Sequence, residues 1–181
     1  MRILLLTNYY TPDFGAGSFR MQALIDAFER VDKNDLKIDL YTTFPNRYGS
    51  RFENLKEFED FGWLRVNRIR LPQHNGKMLS QAISYSKFFF SVLYLCRKQK
   101  YDLVFATSSR LITAFLGSLI AKRKQAILFL DIRDIFSDTL KDLFKQSNLR
   151  VVLPIINYVE KKTLMVADAV NIVSPGFEQH I

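Results

Sequence analysis

Two unbroken apolar runs most constrain the fold of this chain of 181 residues. The segments Ile3–Leu6 and Ala126–Leu130 contain no polar side chain. A strand that is buried on both faces requires such a run, whereas a strand with one face in water alternates apolar and polar residues. Both runs therefore predict central strands of a parallel sheet that is covered by helices on its two faces.

Short apolar segments alternate with segments of helical period along the rest of the chain. Strands are predicted over 2–7, 36–43, 64–70, 102–106, 126–130 and 169–173. Helices are predicted over about 18–31, 77–98, 110–123, 138–146 and 150–166. The length suits one domain with a real core. We therefore expect a single α/β domain, a Rossmann-like parallel sheet with helices on both faces.

The loops that leave the C-terminal ends of the predicted strands hold most of the notable polar residues. They are Asn8–Gly17, 45–49, Thr107–Arg110, Asp131–Asp134 and Ser174–Gly176. Open parallel sheets bind ligands in the crevice beyond these strand ends, where the strand order reverses. The sequence thus predicts one cleft that contains Gly15, Gly17, Ser108, Arg133 and Asp134.

A glycine-containing loop, Gly15-Ala16-Gly17-Ser18, separates the first strand from the first helix. Glycines let the backbone approach a ligand closely, and a helix N-terminus presents unpaired N–H groups to anions. Ser18 is a candidate cap for the helix, and Arg20 a candidate charged contact to a phosphate. The alternative is that the glycines serve turn geometry alone.

A dinucleotide-binding fingerprint is excluded on three counts. Arg20 stands where that motif needs its third glycine, and seven residues separate Thr7 from Gly15 where a tight turn is required. The second strand ends in Thr42-Thr43 rather than in an acidic residue. We therefore expect no nicotinamide cofactor and no dehydrogenase activity.

The net charge of +8 suits phosphorylated substrates, anionic lipids or nucleic acid as partners. No zinc-knuckle spacing, RNP motif or basic tail is present, so we expect no nucleic-acid partner. The alternative is a protein that is basic without a partner of opposite charge.

The cysteine and histidine content argues against disulfide and metal chemistry. The single cysteine, Cys96, cannot form an internal disulfide and suits a reducing, cytoplasmic compartment. His74 and His180 have no Cys or acidic partner at metal-ligand spacing, so no metal site and no cofactor are predicted.

Four segments of the chain form a recognisable pattern when they are taken together. The first is Asn8-Tyr9-Tyr10-Thr11-Pro12, followed by Gly15-Ala16-Gly17 and Arg20. The others are Ala106–Ser109, Asp131–Phe136 and Ala167–Ser174. In this order the segments resemble glycosyltransferase family 4, and most closely the branch that builds bacterial O-antigen and capsular polysaccharide. The resemblance covers nearly the whole chain.

The resemblance implies a metal-independent, usually retaining GT-B enzyme of two Rossmann-like domains. The N-terminal domain receives a lipid-linked or saccharide acceptor, and the C-terminal domain binds the nucleotide sugar. Residues 1–181 correspond to the N-terminal, acceptor-side domain, and the donor domain is expected to lie outside them. We therefore expect the isolated domain to transfer no sugar. The alternative is a non-catalytic acceptor- or membrane-binding module that works with a separate donor subunit.

Candidate site residues follow from the same resemblance. The catalytic candidates are Asp131, Arg133 and Asp134; many family members carry histidine where this chain has Arg133. The candidates for phosphate or acceptor binding are Gly15, Ala16, Gly17, Ser18, Arg20, Ser108 and Arg110. The alternative for the first group is a surface ion-pair cluster that caps the next helix.

The predicted helix 77–98 is rich in aromatic residues, including Phe88, Phe89, Phe90 and Tyr94. One interpretation is a core helix with a narrow polar stripe formed by Ser80, Ser84, Lys87, Ser91 and Lys98. The other is a partly exposed apolar face at the inner surface of the cell membrane, flanked by basic residues. Those residues are Arg65, Arg68, Arg70, Lys77, Arg97, Lys98, Lys122, Arg123 and Lys124.

Overall fold

A sheet of seven strands organises the chain in the computed structural model, which describes residues 1–31, 35–45, 55–72, 78–107, 111–134 and 152–176. The strands are β1 Arg2–Leu6, β2 Lys37–Thr43, β3 Phe58–Asp60, β4 Leu64–Ile69, β5 Leu103–Thr107, β6 Ile127–Ile132 and β7 Ala169–Ile172. The helices are α1 Ala16–Glu29, α2 Met78–Leu95, α3 Leu111–Lys124 and α4 Leu153–Met165. None of these helices is long and apolar enough to cross a membrane.

The strand order is β3-β4-β2-β1-β5-β6-β7, and every neighbouring pair except β3–β4 is parallel. The six parallel strands have the order of the dinucleotide-binding, or Rossmann, fold. The direction of winding reverses between β1 and β5, and open α/β sheets bind ligands beyond the C-terminal ends of the strands at such a point. The predicted α/β class and the Rossmann-like sheet are confirmed.

Two core layers enclose the sheet, as the unbroken apolar runs require. Ile3 and Leu5 of β1 pack with Met21 of α1 on one face. Leu4 and Leu6, which point the other way, pack with residues of α2 and α3 such as Phe88 and Leu116. Every one of these side chains is almost fully buried, and each contributes about 1.5–3 kcal/mol to stability.

The six predicted strands are all observed, with ends that differ by at most two residues. β3 was not predicted, because it has three residues, two of them acidic, at the edge of the sheet. The first, second, third and fifth predicted helices correspond to α1, α2, α3 and α4, and the one over 138–146 lies outside the described residues.

β3 and the residue before it neutralise the arginines of β4 and just beyond it. Asp60 pairs with Arg65 at 3.0 Å, and Glu57 pairs with Arg70 at 2.7 Å. Glu59 pairs with Arg68, which is itself buried. The prediction that Arg68 flanks a membrane surface is therefore wrong, and the charges of the other two arginines are offset.

Candidate functional site

A row of polar side chains crosses the sheet at or next to the C-terminal ends of its strands. Paired residues of neighbouring parallel strands project to the same face of the sheet. Leu40 and Phe105 pack in the same core cluster as residues of α1, and Thr42 and Thr107 of the row lie two residues after them on the same strands. The row therefore belongs to the face that α1 covers. The members are register partners in the sheet: Arg68 with Thr42, and Thr107 with Asp131 and Asn171.

Asp131 is the centre of a hydrogen-bonded network in this row. Arg20 of α1 donates from Nε to Oδ2 at 2.9 Å and from Nη2 to Oδ1 at 2.7 Å, which is a bidentate pair. Asn171 donates from Nδ2 to the same Oδ1 at 2.6 Å. Asp131 is 1% exposed, whereas the Arg20 side chain is 46% exposed, so the buried carboxylate holds a guanidinium that still reaches solvent. The hydrogen bonds that Arg20 donates to Asp131 raise the pKa of Arg20 and keep it cationic.

Gly17 lets a second guanidinium approach the start of α1. A methyl group at this position would lie 2.7 Å from Nη1 of Arg133 and 3.2 Å from Cδ2 of Tyr9. Gly17 lies inside the helix, and Gly15 has an extended backbone that any residue adopts. The alternative that the glycines serve turn geometry alone is therefore wrong for Gly17, since close approach explains that glycine.

The first turn of α1 is open to an anion. The helix begins at Ala16 with Gly15 at the N-cap, no side chain caps it, and the first turn has no acidic residue. The prediction that Ser18 caps the helix is wrong, because Ser18 lies inside the helix and is buried. The unpaired N–H groups and the positive end of the helix dipole favour a negatively charged group here.

The loop before α1 is held in place by residues of three neighbouring elements. Asn8 donates to the Thr113 hydroxyl of α3 at 2.9 Å, and its carbonyl accepts from the Thr43 hydroxyl of β2 at 2.7 Å. Arg68 of β4 donates to the carbonyl of Thr11 at 3.2 Å. These long-range bonds fix the loop that carries Tyr9 and Gly15 to the site.

Three buried polar atoms at this edge have no hydrogen-bond partner among the described residues. They are Oδ1 of Asn8, Oγ1 of Thr42 and Oγ1 of Thr107. Buried polar groups are usually paired, so unpaired ones require an explanation such as a bound ligand, an ion or a catalytic role. Thr42 lies on β2, Thr107 ends β5, and Asn8 lies two residues after β1. The switch point lies between β1 and β5.

The structure brings some predicted site residues together and leaves others untested. Arg133 meets Gly17, and Arg20 meets Asp131, while Asp134 is exposed directly after Arg133. The site candidates Ser108 and Arg110 lie outside the described residues. The alternative of a surface ion-pair cluster is wrong for Asp131, which is buried and whose partners come from α1 and β7.

Sequence reasoning missed Tyr9 and Asn171 as parts of the site. Tyr9 packs its ring against Gly17, and Asn171 binds Asp131. The signal that points to Asn171 is its register with Asp131 on adjacent strands, which becomes visible only once the strand order is known.

No group of three or more His, Cys, Asp and Glu side chains is arranged to hold a metal ion within the described ranges. The site therefore consists of a cationic, hydrogen-bonding surface at the edge of a Rossmann-like sheet. Comparisons with protein-family models and with curated proteins find no match for this chain. The resemblance to glycosyltransferase family 4 stays a prediction.

Proposed function

We propose that this domain is the acceptor-binding half of a glycosyltransferase in cell-surface polysaccharide synthesis. It receives a lipid-linked or saccharide acceptor, and a second domain holds the nucleotide sugar. Transfer breaks the bond between the anomeric carbon and the diphosphate oxygen and forms a bond to an acceptor oxygen. The acceptor hydroxyl gives up its proton in the same reaction.

The observation that carries the proposal is that two arginines from different elements both reach the start of α1. Arg133 comes from the end of β6 and lies against Gly17, and Arg20 comes from α1 and is aimed by Asp131. Together with the uncapped N–H groups they fit a phosphate or diphosphate, which both the donor and a lipid-linked acceptor carry.

The proposal gives each acidic residue a different role. Asp131 has both oxygens engaged by Arg20 and Asn171, so it positions Arg20 and does not take up the acceptor proton. Asp134 is exposed next to Arg133 and is the candidate base for that proton. Arg133 stabilises the negative charge that develops on the leaving diphosphate.

A second candidate function is a non-catalytic binding module that captures a phosphorylated acceptor for a separate catalytic subunit. The full engagement of Asp131 favours it, since only the exposed Asp134 of the acidic pair is then available for chemistry. The two functions share the phosphate site and differ in whether Asp134 is required for transfer.

Calorimetric titration with a short-chain isoprenyl diphosphate and with inorganic pyrophosphate tests the shared site. We expect Arg20→Gln and Arg133→Gln each to weaken binding about tenfold or more, because a hydrogen bond to a charged group contributes about 1.5–3 kcal/mol. Arg30→Gln, which removes an exposed arginine at the other end of α1, is the matched control and leaves affinity unchanged. Equal affinity in all four proteins contradicts the proposed site.

A further inference from the structure

The outer face of α2 combines exposed apolar and aromatic side chains with two lysines. We define this face as Ile83, Lys87, Phe90, Tyr94 and Lys98, which recur at spacings of four, three, four and four. Phe90 is 67% exposed, Tyr94 is 63% exposed and Ile83 is 58% exposed. Single exposed apolar residues are ordinary, but a row along one helix marks an interaction surface.

The same helix has a separate face that belongs to the core. Phe88, Val92 and Cys96 are almost fully buried against the sheet, and Ser84 is buried with them. The predicted polar stripe is therefore wrong at Ser84, whose hydroxyl bonds to the carbonyls of Pro72 and Ser80. Core packing accounts for the buried face and leaves the outer face unexplained.

The exposed rings of Phe90 and Tyr94 are in contact with neighbouring side chains. Phe90 meets Phe89 edge to face at 5.4 Å, and Phe89 stacks on Phe115 of α3 at 6.1 Å. The Arg97 guanidinium lies 3.5 Å from the centre of the Tyr94 ring, and its Nη1 donates to the Tyr94 carbonyl at 2.6 Å. The aromatic side chains thus lose little further freedom when a partner covers them.

The positive charge of the chain is concentrated in the segment of the sequence that contains α2 and α3. Residues 61–130 contain twelve lysines and arginines and one acidic residue, Asp102, so the segment carries +11 and the rest of the chain −3. The ion pairs with β3 and its preceding residue offset the arginines at positions 65, 68 and 70. Exposed cations remain at the ends of α2 and α3: Arg97, Lys98, Lys100, Lys122 and Arg123.

We propose that the outer face of α2, with the basic ends of α2 and α3, binds the surface of an anionic lipid bilayer. An exposed row of aromatic residues beside lysines and arginines is the composition of interfacial helices. Anionic headgroups match the cationic ends, and each nearby Lys or Arg contributes about 1 kcal/mol. A second copy of this chain would instead oppose like charges. The inference goes beyond the proposed function and does not depend on it.

Co-sedimentation with vesicles tests the proposal. One set contains phosphatidylcholine and phosphatidylglycerol in equal parts, and the other contains phosphatidylcholine alone. We expect binding to the anionic vesicles that falls with added salt, since exposed charges are screened over about 8–10 Å near physiological salt. Equal binding to both sets, or none to the anionic set, overturns the proposal.

Matched variants distinguish binding by this surface from non-specific adsorption to the vesicles. Phe90→Ser with Tyr94→Ser is expected to weaken vesicle binding about tenfold or more, because burying one such ring contributes about 1.5–3 kcal/mol. Phe19→Ser removes an equally exposed ring from α1 on the opposite face of the sheet, and it leaves binding unchanged. Equal loss in both variants, or no loss in the first, contradicts the assignment.

The charges are tested in the same way. Lys98→Gln with Lys122→Gln is expected to weaken binding about tenfold, whereas Arg30→Gln with Lys56→Gln, at the end of α1 and just before β3, does not. All replaced side chains are exposed, so circular dichroism and melting temperature should stay as in the parent protein. If the parent protein forms a concentration-dependent dimer and the Phe90 and Tyr94 variant stays monomeric, the face belongs to an interface with a second copy. That result would overturn the proposal.

Discussion

Gly17 is the residue at which helix stability and the placement of Arg133 make opposite demands. A glycine near the start of α1 costs up to about 1 kcal/mol relative to alanine, yet a methyl group here would meet Arg133 Nη1 at 2.7 Å. The contacted atom is the far end of a flexible side chain, so the arginine would move and the helix would not. The glycine therefore serves the placement of Arg133.

The variant Gly17→Ala should separate binding from stability. We expect an unchanged or slightly higher melting temperature together with about tenfold weaker binding of isoprenyl diphosphate, because Arg133 is displaced from the start of α1. Scanning calorimetry and titration measure the two effects. Gly176→Ala, whose methyl group meets no atom nearer than 3.7 Å, is the control. Unchanged affinity in Gly17→Ala would show that Arg133 does not bind the phosphate.

Tyr41 gives the fold a dependence on alkaline pH. Burial, reinforced by the Asp39 carboxylate, raises the pKa of Tyr41 from 10.0 to about 12. Between these values the unfolded chain loses the phenolic proton and the folded protein keeps it. The free energy of unfolding therefore decreases as pH rises from about 10 to about 12, by about 2–3 kcal/mol for this residue.

The variant Tyr41→Phe removes that contribution. We expect it to lose less stability than the parent protein between pH about 9 and pH about 11.5, as measured by urea unfolding. Burial also raises the pKa of Tyr101, which is present in both proteins. The decrease of the free energy of unfolding with pH is therefore reduced in Tyr41→Phe and not abolished. The same loss of stability in both proteins would contradict the raised pKa of Tyr41.

At the scale of elements, α3 and β5 meet at a point with no room for another side chain. A methyl group at Gly117 would lie 2.6 Å from Cβ of Ala106, which is fully buried in the centre of the sheet. Neither group is the end of a flexible chain, so α3 would have to move away from β5. The distance between helix and sheet depends on this glycine.

The variant Gly117→Ala is therefore expected to lower the free energy of unfolding by about 1–3 kcal/mol, although alanine is the better helix former. Thermal or urea unfolding measures the change, with Gly176→Ala as the control that leaves stability unaltered. A stability equal to or above that of the parent would mean that α3 and β5 do not approach as closely as described.

The sequence was sufficient for the elements whose pattern is local. The apolar runs Ile3–Leu6 and Ala126–Leu130 identified β1 and β6, and the loops placed Gly17 and Arg133 at one edge of the sheet. Contacts between elements that are distant along the chain could not be predicted from the sequence. Arg20 and Asp131 are 111 residues apart, and their pairing depends on the strand order and on the tilt of α1. The edge strand β3 was missed because nothing in Phe-Glu-Asp distinguishes a strand from a loop.

At the scale of the whole molecule, the candidate phosphate site and the basic ends of α2 and α3 lie at different edges of the sheet. The candidate phosphate site lies at the C-terminal edge of the sheet, whereas Lys98 and Lys122 lie near the ends of α2 and α3, toward the opposite edge. The outer face of α2 runs between these edges. A domain held on a bilayer by this face would keep the phosphate site beside the membrane surface, where a lipid-linked acceptor presents its headgroup.

Sugar transfer is the measurement that tests the central claim most directly. The domain is combined with a donor domain, supplied on the same chain or separately, and incubated with nucleotide sugars and a lipid-linked acceptor. Mass spectrometry then follows the product. Residues 1–181 alone should give none, since rate enhancement requires both substrates to be held together and the leaving diphosphate to be stabilised. The combination should transfer sugar, and Arg133→Gln should reduce the rate about a hundredfold or more. Full turnover by residues 1–181 alone, or a rate that Arg133→Gln leaves unchanged, would contradict the account.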